Sequence, residues 1–313
     1  MFNLQVSAVC LLSAFILTIL FAAWLCPWLA LIFRLMALTR RKRFYLHLAG
    51  QVLRTGWWAG VLSSVFILES LYRGILFIIQ ITPPEGKPAA WTAFMQPPLD
   101  QLSLCASLIL LFIIILSLAR FTWNKLGNHD FAQLAVTALA AITSLVSVGI
   151  ASLVFTHMPW MLPTQLSTAF FILSSIMPRS ADFILLLLVY ARLAGGAVAL
   201  TMSLVLGILL LRRVYEDFGR DYYNFAVRQG AWWIFASSGT AAICAAILPF
   251  IPQYALTKSI ANDDTGIWIS ALLYTACALF GGYLLRSVTP LRHKIGIWLS
   301  FPCLSLALIG RFF

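Results

Sequence analysis

Ile184 to Leu211 reads ILLLLVYARLAGGAVALTMSLVLGILLL and carries a single charge, Arg192. About 20 consecutive apolar residues are enough for a helix to cross the hydrocarbon core of a bilayer. Leu102 to Leu118, LSLCASLILLFIIILSL, is a second such run and has no charge at all. Neither alternates apolar with polar residues, and both are longer than the strand of about ten residues that a membrane barrel uses. A backbone in lipid must satisfy its own hydrogen bonds within the segment, so these runs predict transmembrane helices.

The rest of the chain agrees with this reading. It is 62% hydrophobic and 10% charged, with a mean hydropathy of +0.94, whereas an ordinary soluble domain carries about 25% charged residues. The first basic residue is Arg34, so the N-terminus lacks the charged start of a cleavable signal peptide and reads as a retained first helix. Apolar runs set against charge clusters give an all-α integral membrane protein of about eight transmembrane helices. The expected spans lie near residues 5–33, 54–80, 101–120, 131–156, 182–211, 230–252, 266–285 and 294–312.

The basic residues sort by side. Arg34, Arg40, Arg41, Lys42, Arg43 and Arg54 flank the first connection, and Arg120 and Lys125 the third. Arg212, Arg213, Arg220 and Arg228 belong to the fifth, and Arg286, Arg292 and Lys294 to the seventh. The even connections hold few, chiefly Lys87, Arg179 and Lys258. The positive-inside rule then places the odd connections in the cytoplasm and both termini outside, in a multi-pass protein of the cytoplasmic (inner) membrane of a prokaryote. The net charge of +11 is thereby a topology signal, and no nucleic-acid partner is expected because no separate basic domain exists.

The fifth connection reads as a second copy of the first. Arg43, Phe44, Tyr45, Leu46, His47, Leu48 and Ala49 align at constant offset with Arg220, Asp221, Tyr222, Tyr223, Asn224, Phe225 and Ala226. A tryptophan pair follows each block, Trp57 and Trp58 in one, Trp232 and Trp233 in the other. This internal repeat predicts two tandem four-helix halves, 1–157 and 181–313, joined by an outer interfacial connection over 158–180. An even number of crossings gives the copies parallel orientation about an axis along the membrane normal. Residues Thr82 to Asp100, with five prolines, predict an extended loop. The stretch between Pro163 and Pro178 suits a short helix lying at the outer interface or re-entering the bilayer. Small residues recur every fourth position at Gly195, Ala199, Ser203 and Gly207, and at Gly56, Gly60 and Ser64, marking seams where helices approach closely.

Ionisable residues within apolar helices are costly and mark candidate sites. Arg192 lies ten residues past Asp182, about 15 Å along a helix and so near mid-bilayer. Glu69 and Arg73 sit one turn apart and can pair. Together Glu69, Arg73, Arg192 and Asp182 make a candidate intramembrane polar pocket, able to hold an anionic substrate or a quinone headgroup or to relay a proton. The competing reading gives Arg73 to the interface, Glu69 to its neutralisation and Arg192 to helix carbonyls or to Glu69 across the bundle.

No histidine lies mid-helix, so axial haem ligation is not expected. His129 and His293, near the inner ends of helices four and eight, are weak candidates for a shared metal site. The six cysteines, Cys10, Cys26, Cys105, Cys244, Cys277 and Cys303, show no ligand spacing. No Walker loop, GxGxxG, HExxH or GxSxG pattern sits in a suitable context, and no cofactor is predicted beyond possible quinone contact.

The stretch from Arg40 to Glu69, a basic turn and an aromatic followed by a helix ending in an acidic residue, resembles the segment between the first two helices of subunit I of cytochrome bd type quinol oxidases. That family holds haem-ligating histidines within its helices, and this chain has none there. What the resemblance implies is therefore limited to a haem-free membrane subunit of a quinone-linked complex. Independent catalytic activity is not expected. The expected function is a membrane anchor or quinone-contacting subunit of an electron-transfer complex, in contact with the lipid bilayer and with other membrane or redox subunits. The alternatives are a small-solute or lipid transporter and a membrane assembly factor or scaffold.

Overall fold

The structure is a computed structural model that describes residues 2–80, 88–123, 125, 130–157, 183–213, 215–216, 218–250 and 265–309. Among these residues there are α-helices and short 3-10 turns and no strands. The helices are α1 (Phe2–Arg40), α2 (Arg43–Gln80), α3 (Pro88–Thr122), α4 (Asp130–His157), α5 (Phe183–Arg212), α6 (Arg220–Ile247), α7 (Thr265–Arg286) and α8 (Lys294–Ile309). Among the described residues six stretches are long and apolar enough to cross a membrane: Phe21–Arg40, Ser103–Thr122, Asp130–Ser147, Leu187–Arg212, Arg220–Phe250 and Gly266–Arg286, with Lys294–Leu308 a shorter apolar helix.

The interior mixes large side chains such as Phe33, Phe112, Tyr222 and Tyr274 with many small and weakly polar ones, and the surface is rich in large apolar residues. Ala22, Ala23, Ser63, Ser64, Ala140, Ala199, Ser203, Ser238 and Ser300 are buried, whereas Ile114, Ile243, Leu272 and Leu279 are exposed. Such an apolar surface is what lipid permits: apolar side chains gain nothing by leaving the acyl chains, so helices also associate where small residues let backbones meet. A β-carbon at Gly195 would lie 2.6 Å from the Ser237 carbonyl oxygen, and one at Gly281 would lie 2.9 Å from the Phe235 amide nitrogen. Both flanks of α6 are thus fixed by glycines on α5 and α7. The two seams expected on α2 and α5 lie at close approaches as well: Gly56 abuts Cys26 of α1, Gly60 faces Leu116 of α3, and Ser203 shares a 2.6 Å hydrogen bond with Ser300 of α8.

Packing closes two rings of four. In one, α1 packs on α2, α2 on α3, α3 on α4 and α4 on α1; in the other, α5 packs on α6, α6 on α7, α7 on α8 and α8 on α5. The rings meet chiefly through α1 and α5, with α2 touching α5 and α6, and α1 touching α8. The ends of α1, α3, α5 and α7 and the starts of α2, α4, α6 and α8 gather at one end, the basic end. Arg34 of α1 pairs there with Asp130 at the start of α4, and Trp57 of α2 donates to Ser117 of α3 at 2.9 Å.

Three expectations change. Pro88 to Asp100 is helical and belongs to α3, not to an extended loop. A proline at the first helical position loses nothing, because that N–H has no helical partner, and Ala89, Ala90 and Ala93 favour helix. The first connection is only Arg41 and Lys42, since α2 starts at Arg43; Arg43, His47 and Arg54 therefore stand on a helix that runs beyond its apolar part. Likewise the second block lies in α6, which starts at Arg220 ten residues before the expected span. The expected interfacial segment between Pro163 and Pro178 lies outside the described residues.

Candidate functional site

Arg192 stands on α5, 6% exposed, and donates through Nη2 to Ser270 Oγ of α7 at 2.9 Å. Ser270 in turn donates to the Ile267 carbonyl at 2.8 Å. One turn further along each helix, Gly196 of α5 faces the hydroxyl of Tyr274 of α7, which occupies the space a β-carbon would need. Tyr274 is fully buried, and among the described residues its hydroxyl meets no partner of good hydrogen-bond geometry; the Arg192 guanidinium acts on it. Among the described residues Arg192 is thus held by the Ser270 hydroxyl. Of the other residues expected to share this pocket, Glu69 is exposed on α2. The side chain of Arg73 and the whole of Asp182 lie outside the described residues.

His293 is half-buried at the start of α8, with its Nε2 3.4 Å from Tyr283 Oη and the two rings edge to face at 5.0 Å. Its expected companion His129 lies outside the described residues.

The two similar blocks face each other at the basic end. Tyr45 packs edge-on against Phe225 with ring centroids 4.9 Å apart, and Tyr222 lies edge-on to His47 at 6.0 Å. Under the block alignment Tyr222 stands where Tyr45 does, so each tyrosine meets the other block about three residues on. Phe44 touches both Tyr222 and Phe225, and Tyr45 Oη donates weakly to Gln229 at 3.5 Å. Each block opens its helix, and each is preceded by a residue of positive φ, Arg41 at 50° and Gly219 at 81°.

A charged network follows immediately. Arg54 of α2 pairs with Glu216 at 2.5 Å, and Gln51 donates to the other carboxylate oxygen at 3.2 Å. Arg212 of α5 donates to Gln51 Oε1 at 2.9 Å. Arg120 of α3 lies close enough to share the fields of Arg54 and Glu216. Partial burial pushes the Glu216 carboxyl upward, but the hydrogen bonds from Arg54 and Gln51 and the charges of Arg54 and Arg212 outweigh it and hold the group below the usual glutamate range. The Glu216 backbone carbonyl accepts from Tyr223 Oη, and Arg213 lies over the Tyr223 ring at 5.5 Å. Sequence reasoning counted these arginines only as topology markers. The available signal was Glu216 itself, an acidic residue in the most basic surroundings of the second half.

Beside the network an open groove of about 520 Å³ runs along α6, lined by Asp221, Asn224, Phe225, Arg228, Gln229 and Trp232 and closed by Leu285 of α7. It combines two aromatic faces with amide and guanidinium donors, and Trp232 at its edge is 47% exposed.

The fold and these features define a helical multi-pass membrane protein. No protein-family model matches the chain, and neither a curated protein nor a solved structure matches it at a significant level.

Proposed function

We propose that the chain is an eight-crossing protein of a prokaryotic cytoplasmic membrane, with its basic end in the cytoplasm and both termini outside, and that it serves as a membrane anchor or quinone-contacting subunit of an electron-transfer complex. Two tandem halves of parallel orientation are supported by the matching rings of neighbours and by the meeting of the two blocks. The observation that carries the quinone reading is the groove on α6. A quinone headgroup is a flat ring with two carbonyl acceptors; Phe225 and Trp232 offer faces for the ring, and Arg228, Gln229 and Asn224 offer donors for the carbonyls. The groove volume lies within the range of small-molecule sites, about 300 to 1,000 Å³. It opens at the polar edge of the bilayer, where an isoprenoid tail can stay in lipid beside Trp232.

The experiment is gentle purification in detergent, followed by an optical spectrum, mass spectrometry of co-purifying molecules and quinone titration read by tryptophan fluorescence. The expected result is bound quinone and cytochrome or iron–sulfur partners, with quinone binding reduced by Arg228→Ala. A colourless lone protein that binds no quinone overturns the reading. Small-solute or lipid transport then becomes the better proposal, supported by Arg192 buried between α5 and α7 of a two-half bundle.

A further inference from the structure

We propose that Arg54, Arg120 and Arg212, gathered around Glu216 where the two rings meet at the basic end, bind the phosphate of an anionic phospholipid headgroup. The proposal concerns a different site from the quinone groove and shares with that reading only the placement of the basic end at headgroup level.

The first argument is charge. Among the described residues three guanidinium groups stand in the field of one carboxylate, an excess of two positive charges. Both Glu216 oxygens are already engaged, one by Arg54 and one by Gln51, and the Gln51 acceptor is taken by Arg212. Each guanidinium has five N–H donors in a planar fork, so many donors remain for a further acceptor. All three arginines are half-buried, neither dry nor freely solvated, and the charges of Arg54, Arg120 and Arg212 act unfavourably on one another. A bound anion relieves that repulsion, and a phosphodiester offers two oxygens spaced for the arginine fork.

The second argument is location. Arg54 and Arg120 belong to the first ring, Arg212 and Glu216 to the second. Trp57 and Trp58 lie one turn deeper than Arg54 on α2, and Phe121 adjoins Arg120 on α3, with Trp58 55% and Phe121 63% exposed. Trp57 stacks edge-on with Trp58 at 4.7 Å and with Phe121 at 5.5 Å. Guanidinium groups bordered by a shelf of exposed aromatics offer a phosphate site beside an apolar surface for the acyl chain. A free phosphate uses the arginines and leaves the shelf idle. The lipid therefore accounts for both observations and links the two rings through one headgroup.

The test uses the full chain in neutral detergent with added phosphatidylglycerol, phosphatidylcholine or inorganic phosphate, read by native mass spectrometry and thermal unfolding. Phosphatidylglycerol is expected to stay bound and to raise the unfolding midpoint, whereas the other two do neither. Arg120→Gln and Arg212→Gln are each expected to lower phosphatidylglycerol retention about tenfold, the loss of one charge-assisted hydrogen bond. Arg286→Gln, which removes an exposed charge elsewhere at the basic end, is expected to keep it. Glu216→Gln removes the competing carboxylate and is expected to raise retention, which gives a reading even where an arginine variant fails to fold. The proposal is overturned by equal retention of phosphatidylcholine, by equal protection from inorganic phosphate, by an Arg286→Gln loss as large as the others, or by unchanged or lower retention in Glu216→Gln.

Discussion

Arg192 and Arg54 are both withdrawn from bulk solvent, yet they are accommodated in opposite ways. Arg192 lies deep between α5 and α7 with a serine hydroxyl as partner and a tyrosine beside it. Arg54 lies at the edge of the bundle with a carboxylate, an amide and two further arginines. At depth the helices are close enough that packing dominates and a charge is tolerated; at the edge charges gather because headgroups and water screen them. The difference locates recognition at the edge and architecture at depth.

Four experiments probe this division, from the largest expected effect downward. Gly195→Leu drives a side chain into the Ser237 carbonyl of α6 and is expected to cost about 3 kcal/mol, seen as loss of the monodisperse peak in fluorescence-detected size exclusion. Gly219→Ala at the edge, where an added β-carbon would meet nothing within 4 Å but the φ of 81° is strained for alanine, is expected to cost about 1 kcal/mol. Equal losses would remove the contrast between depth and edge.

Arg192→Ala leaves a void and is expected to cost about 2 to 3 kcal/mol, whereas Arg192→Met keeps the volume, discards the charge and is expected to cost under about 1.5 kcal/mol. Thermal unfolding of the two variants side by side separates space from charge. A Met variant as damaged as the Ala variant would show that the cation itself is needed at depth, as a polar pocket requires.

Glu216→Gln is expected to cost about 1 kcal/mol near neutral pH. Because the folded carboxyl ionises below its usual range, its contribution is complete above the unfolded value and is lost as pH falls through the folded one. Melting wild type and variant together across the acid range should show the gap closing below about pH 4. A gap that widens on acidification would contradict the ion pair. Smallest is Trp57→Phe, which removes the donor to Ser117 and keeps the ring; unfolding should shift by about 0.5 to 1 kcal/mol.

The helices were legible because lipid demands unbroken apolar runs, and among the described residues six stretches are long and apolar enough to cross a membrane. Their ends at the basic side were not. Arg43 and Arg220 begin helices, since a helix continues past the hydrocarbon core as long as its backbone is satisfied, and charge alone does not stop it. Pro88 misled because it stands at the start of α3, where a proline costs nothing, but Pro97 and Pro98 lie inside α3, and nothing in the local sequence explains the helix there. In the site, Arg192 declared itself as a charge within an apolar run, but Ser270 lies 78 residues away, and a tertiary hydrogen bond leaves no mark in local sequence. The convergence of Arg54, Arg120 and Arg212 around Glu216 was hidden for the same reason, since the residues come from three separate segments and a one-dimensional charge count assigned the arginines to topology.

The two-residue link at Arg41 and Lys42 has a consequence for biogenesis. With only Arg41, in a left-handed conformation, and Lys42 between α1 and α2, the two helices form one tight hairpin and are expected to insert together. Under the proposed orientation its loop, with Arg40 and Arg43 alongside, stays on the side of synthesis.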